Sequence, residues 1–208
     1  MCGRYTQTID DGPALRMRFG LGASVPVRPR WNVTPGDEVL TAGRDGGELR
    51  RWGFLRDSAY TTINARAETL MARPIWRTAL DEGRCLIVAD GFYEWHAENG
   101  RKQPYWIARA DRAPFAFAGL ASPWGTCAIV TTAATERLAG LHARMPVMLD
   151  QGAEQAWLSP ELGAAEAHAL LGGYEDTIAV PVGPAVNDAR FDDPACLAPA
   201  PEPPPTLF

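Results

Sequence analysis

Residues 84–132 read RCLIVADGFYEWHAENGRKQPYWIARADRAPFAFAGLASPWGTCAIVTT. Short runs of Val, Ile, Phe, Tyr, Trp and Thr alternate here with Gly, Pro, Asp and Asn, which is strand composition punctuated by turn residues. The stretch predicts strands over Arg84–Ala89, Gly91–His96, Pro104–Arg109, Phe115–Leu120 and Thr126–Thr132. Asn99-Gly100 tolerates positive φ and marks a hairpin between the second and third of them. Strands that follow one another without interleaved helices have no crossovers to make a parallel, doubly wound sheet. The expected class is therefore α+β, predominantly antiparallel β with a few short helices.

Working outward, alternation over Cys2–Thr8 predicts a strand, and Gly12–Phe19 a short helix. The proline-punctuated segment Val25–Pro35 should be extended. Glu38–Ala42 and Glu48–Phe54 flank Arg44-Asp45-Gly46-Gly47, a second hairpin. Ala65–Ala72 and Ile75–Leu80 have helical character, separated by Pro74, and two further helices are expected over Ala153–Leu158 and Pro160–Leu171 before a strand at Thr177–Val182. With no internal repeat and no second composition regime, the expectation is one domain over residues 1–193 and a Pro-rich, extended or disordered tail over 194–208.

The 208 residues carry a formal charge of −5, and 46% are hydrophobic. A chain of this size buries about 70% of its unfolded surface, so a disordered chain is excluded, as is a uniformly basic nucleic-acid binder. The charge is uneven: residues 1–80 hold 12 basic and 8 acidic side chains, residues 81–208 hold 8 and 17. A basic face can hide behind that average. No apolar stretch approaches the ~20 residues of a membrane span, and MCGRYTQTIDDG lacks a signal-peptide core, so a cytoplasmic protein is expected. Cys2, Cys85, Cys127 and Cys196 show no zinc-ligand spacing, so neither a metal nor a disulfide framework is expected. His96-Ala97-Glu98 matches half of a zinc deaminase signature, but its P-C-x-x-C partner is absent.

Cys2 is the first candidate for chemistry. With Met1 removed it presents an α-amine of reference pKa about 8 and a thiol of about 8.5 on one residue. Such a 1,2-aminothiol condenses with an aldehyde to an imine, and the thiol then closes a five-membered thiazolidine. The other side-chain amine, Lys102, lies in a polar turn and should stay protonated. Asn64, Arg66 and Glu68 stand at alternate positions of a strand-to-helix junction, where an Asn is commonly a helix cap. Glu94 sits among Phe92, Tyr93 and Trp95, where burial would raise its pKa and suit it to acid–base work. His142 and Arg144 are two apart in a loop and, if extended, share a face.

Together, Met1-Cys2-Gly3-Arg4-Tyr5, Trp31-Asn32-Val33-Thr34-Pro35, Arg51-Trp52-Gly53, Asn64-Ala65-Arg66-Ala67-Glu68-Thr69, Gly91-Phe92-Tyr93-Glu94-Trp95 and His142-Ala143-Arg144-Met145-Pro146 resemble the SOS response-associated peptidase (SRAP) family. With Val186-Asn187 they span most of residues 2–190. The resemblance implies a compact, largely β fold with a barrel-like core, no cofactor, and a sensor that caps abasic sites in single-stranded DNA through a thiazolidine on Cys2. It also implies lyase-type Schiff-base chemistry and a self-processing peptidase activity that exposes the cysteine. By matching position, Cys2 resembles the nucleophile, Asn64 the amide holding it and the sugar, Glu94 the carboxylate aiding ring opening, and His142 its proton-transfer partner. Arg66, Arg144 and Arg4 resemble DNA contacts, with Trp52 and Trp31 as stacking surfaces. The partners implied are single-stranded DNA with abasic sites and replication-associated proteins, for a monomer acting away from membranes. Two rival readings stay open: a thiol peptidase using Cys2 with His142, and a non-covalent single-strand reader using Arg66, Arg144 and Trp52.

Overall fold

The strand-rich centre and the segments around it form β1 (Tyr5–Gln7), β2 (Arg30–Val33), β3 (Glu38–Gly43), β4 (Gly46–Trp52), β5 (Phe54–Leu55), β6 (Thr61–Thr62), β7 (Asn64–Arg66) and β8 (Arg84–Ala89). They continue as β9 (Gly91–Glu98), β10 (Arg101–Arg109), β11 (Phe115–Ala121), β12 (Thr126–Ala133), β13 (Arg144–Pro146), β14 (Met148–Leu149) and β15 (Thr177–Pro181). The helices are α1 (Gly12–Phe19), α2 (Pro74–Glu82), α3 (Glu136–Ala139), α4 (Gln151–Leu158) and α5 (Ala164–Ala169). The structure, a computed structural model, describes residues 2–55, 61–98 and 100–201.

One sheet runs β15-β10-β9-β1-β2, antiparallel throughout its described pairings. The larger sheet runs β13-β12-β4-β3-β8-β11-β14, with β7 added beside β12. Because β11 also pairs with β12, the strands β11, β8, β3, β4 and β12 close into a ring. Most pairs are antiparallel, as expected, while β12 runs parallel to both β4 and β7. Side chains on these strands alternate between two cores, which explains why CLIVA and FAFAGL are apolar at every position. Leu86, Val88, Ala116, Ala118 and Leu120 face the helices, packing with Trp76, Leu80 and Trp157. Cys85, Ile87, Phe115 and Phe117 face the other way and pack with Tyr5, Trp52 and Cys2. The N-terminal segment thus lies against an apolar interior, and each large side chain buried there contributes about 1.5–3 kcal/mol.

Local signals hold where the chemistry is short range. Asp11 caps α1 by accepting from the Ala14 amide, and the hairpin at Gly43–Gly46 joins β3 to β4. Pro74, read as a break, is the first residue of α2, where its missing N–H costs nothing. The turn between β9 and β10 falls where expected, with Gly100 at φ +76° and Lys102 opposite Ala97; Asn99 lies outside the described residues. Gly91 is required for a different reason. A Cβ there would stand 2.1 Å from Trp106 Nε1, which donates to Thr6 Oγ1 at 3.0 Å.

Three expectations are corrected. The helix expected over Ala65–Ala72 is strand β7 followed by a single 3-10 turn, Ala67–Thr69, because β7 is drawn into the larger sheet beside β12. The helix expected over Pro160–Leu171 contracts to α5, which starts after Gly163. The domain does not end at residue 193. Asp193 caps a 3-10 turn over Pro194–Leu197, Cys196 is fully buried against the Tyr93, Trp106 and Val186 cluster, and Pro199 bridges to Val182. Cys196 and Leu197 dock this stretch against that cluster; residues 202–208 of the expected tail lie outside the described residues.

Candidate active site

β1 lies beside β9 in the register Tyr5 to Phe92, and the Tyr93 amide donates to the Arg4 carbonyl at 3.0 Å. The antiparallel run therefore carries the chain before β1 along the next residues of β9, toward Glu94. Cys2 is completely buried, and its thiol contacts the Arg4 carbonyl at 3.8 Å. Burial above all, and then the Glu94 charge, push the thiol well above its ordinary pKa. Glu94 is itself buried, and its carboxyl is raised above the usual carboxylate range by that burial, opposed in part by His142.

Asn64 and His142 arrive from the larger sheet. β7 runs beside β12 with Asn64 opposite Ile129, and Asn64 Nδ2 donates to the Cys2 carbonyl at 2.8 Å. The amide is thus not a helix cap. Its Oδ1 is buried and has no hydrogen-bond partner among the described residues, which leaves an acceptor beside Cys2. His142 follows α3 and precedes β13. Its Nδ1 lies 3.9 Å from Glu94 Oε1, 3.0 Å from the Arg144 amide nitrogen and 2.9 Å from the Arg144 carbonyl. Four residues spread over 140 positions of sequence thus meet: Asn64 on Cys2, His142 on Glu94, and Glu94 near enough to Cys2 to act on its thiol. The arrangement brings together a thiol, an amide that holds its residue, and a carboxyl–imidazole pair whose carboxyl is held toward its protonated form.

The residues expected to touch DNA fare unevenly. Arg66 is exposed on β7, opposite Thr131. Trp31 is half-buried, with its amide donating to Asp192 Oδ1 at 2.6 Å. Arg4 is tied internally: Nη1 donates to Asn32 Oδ1 at 2.9 Å and to the Val186 carbonyl at 2.7 Å, and the guanidinium lies over Trp95. Arg144 gives both terminal nitrogens to Glu68, at 3.1 and 3.0 Å, and also donates to the Thr131 carbonyl at 2.7 Å. Trp52 is a correction. It is 1% exposed, its indole N–H donates to the Ile63 carbonyl at 2.9 Å, and its ring meets Tyr5 edge-on at 5.4 Å. It is core, because the inward face of β4 closes on the β1 segment, and it offers no surface to a base.

Two participants were present in the quoted motifs without an assigned role. Glu68 is the partner of Arg144. Trp95, half-buried next to Glu94, carries Arg4 and donates to Asn187 Oδ1 at 2.7 Å. The alternate spacing of Asn64, Arg66 and Glu68 was the signal for the first; nothing local distinguishes the second from Trp52.

The site can be set beside known proteins. The chain is 35% identical over 224 residues to abasic site processing protein YoqW of Bacillus subtilis, covering 95% of this chain and 99% of that one. It is 35% identical over 190 residues to abasic site processing protein YedK of Escherichia coli, covering 80% and 83%. Among solved structures, a phage-related protein from Bordetella bronchiseptica superposes with a TM-score of 0.71 at 30% identity, over 87% of this chain and 94% of that one. A protein from Bacteroides thetaiotaomicron shares the fold with a TM-score of 0.84 at 23% identity, over 96% and 100%. The family model described as SOS response associated peptidase (SRAP) matches residues 1–189, which contain all four residues of the cluster. On that match and these relatives, the chain belongs to the SOS response-associated peptidase family.

Proposed function

We propose that this protein processes abasic sites in single-stranded DNA by covalent capture on Cys2. The observation that carries the reading is the convergence of Cys2, Asn64, Glu94 and His142 in one cluster, Cys2 and Glu94 buried, Asn64 and His142 half-buried. The relatives named abasic site processing proteins support the substrate class. With Met1 removed, the Cys2 amine attacks the aldehyde of the opened sugar, and loss of one water gives an imine. Sγ then bonds to the same carbon while the thiol proton passes to the imine nitrogen, so the thiazolidine forms with net release of that water. Glu94, with its raised carboxyl, supplies the proton that opens the cyclic hemiacetal, and His142 exchanges protons with it. Asn64 holds the Cys2 carbonyl, and its unpartnered Oδ1 takes a donor from the sugar or the amine. An imine also acidifies the neighbouring carbon, so strand cleavage by β-elimination competes until the sulfur closes the ring.

The Cys2 environment favours this over the peptidase reading. A thiol protease needs an electropositive site that lowers the thiol, whereas burial and Glu94 raise this one. A protonated thiol adding to an imine needs no standing thiolate. Incubating the Met1-free protein with a single strand bearing one abasic site should give a species that survives denaturation, at the summed mass less one water. Cys2→Ala or a retained Met1 should abolish it. Absence of that species with the processed protein sinks the reading; intact binding by Cys2→Ala without an adduct from the parent protein would favour the non-covalent reader.

A further inference from the structure

Arg144 matches the family motif at a position read from sequence as a phosphate contact, yet its guanidinium is already engaged. Nη1 and Nη2 each donate to one oxygen of Glu68, Nη2 also reaches the Thr131 carbonyl and Oγ1 at 2.7 and 3.2 Å, and Nε is buried without an acceptor. A bidentate carboxylate thus occupies the Nη1/Nη2 edge of the guanidinium. What the pair joins is informative. Glu68 lies in the 3-10 turn directly after β7, the strand that carries Asn64. Arg144 opens β13, and its backbone N–H and carbonyl both contact His142 Nδ1. His142 itself stands outside the β12–β13 ladder, which ends at Ala133 opposite Arg144.

We propose that Glu68 is a positioning residue that acts with Arg144 as a strut, fixing the His142 loop against the Asn64 strand. The two halves of the cluster, Asn64 on Cys2 and His142 at Glu94, are thereby held in register. The Arg144 hydrogen bonds hold the Glu68 carboxyl below the usual carboxylate range, so the strut is ionised throughout the neutral range. The assignment to catalysis rests on the covalent-capture reading; the geometric role does not.

The test compares the parent protein with Glu68→Ala, Glu68→Gln, Arg144→Lys and the double variant Glu68→Ala/Arg144→Ala. Glu68 is half exposed, so its replacement leaves the core intact. Crosslinking is followed in single turnovers across DNA concentration, salt and pH, and the imidazole 15N shifts of His142 are recorded without DNA. A strut predicts a limiting rate lowered about tenfold by Glu68→Ala, and equally by Arg144→Lys, with half-saturating DNA unchanged. Glu68→Gln should fall between, the double variant should be no slower than either single change, the pH–rate profile should shift, and the Nδ1 resonance should move. The strut is overturned if Glu68→Ala leaves rate, pH profile and Nδ1 resonance unchanged. It is overturned equally if Glu68→Ala tightens DNA binding while Arg144→Lys keeps it, since Arg144 would then be a phosphate contact that Glu68 competes for. If the parent protein forms no adduct, the capture reading fails, and the His142 resonance still decides the strut.

Discussion

Trp52 shows what a single residue can conceal. As the centre of Arg51-Trp52-Gly53 it reads as an aromatic available to a base, but its indole donor is consumed by Ile63 and its ring by Tyr5. Trp52→Ala should therefore cost about 3–5 kcal/mol in urea unfolding, the range for a buried aromatic, rather than act through DNA affinity. An unchanged midpoint with weakened single-strand binding would return it to the surface. Cys2 carries the complementary lesson: a small thiol in second position is chemically versatile anywhere, and its surroundings choose among its reactions. Complete burial beside Glu94 raises the thiol toward its protonated form, the form the proposed capture of an imine uses.

At the scale of elements, strand composition read correctly because β8 and β11 are covered on both faces, so each residue meets a core. The helices show how the covering layer is fixed. Arg84, at the start of β8, is 3% exposed and donates to the carbonyls of Leu80, Trp157, Ser159 and Leu162 at 2.6–2.8 Å. Those carbonyls lie in the last turn of α2, the last turn of α4 and the segment after it, where helix ends leave acceptors unpaired. One guanidinium thus supplements the backbone caps at Gly83 and Ser159. Arg84→Met should take the guanidinium from all four acceptors, of which the Ser159 carbonyl keeps the Leu162 amide, and destabilise the fold by about 3 kcal/mol or more, seen as a lowered urea midpoint. A loss under 1 kcal/mol would mean that other donors replace it. The 65–72 segment was misread for the same kind of reason, since pairing to β12 outweighs a weak helical preference.

Across the whole molecule, the net charge of −5 neither forbids nor suggests DNA; what matters is which arginines remain available. Arg4 and Arg144 are committed inside the protein, whereas Arg66 is exposed beside the cluster. Arg66→Ala should weaken binding to damaged and undamaged single strands alike and make the dependence of log K on log salt shallower by about one ion, about 0.7 in the magnitude of the slope. An unchanged slope in a salt titration would remove Arg66 from the phosphate contacts. No helix among the described residues is long and apolar enough to cross a membrane.

The sequence by itself determined the strand content and the hairpins and named the four residues proposed for the chemistry, because alternation, turn residues and functional groups are local properties. Only the tertiary structure decided their relations. Asn64 reaches Cys2 across 62 residues and Arg144 reaches Glu68 across 76, and both contacts depend on which strand adds beside β12. A period of two says that a side chain faces one side of a sheet or the other. It does not say what lies on that side, and so the sequence could name Trp52, Arg144 and Glu94 but could not tell the core tryptophan, the internally paired arginine and the buried acid apart from their exposed counterparts.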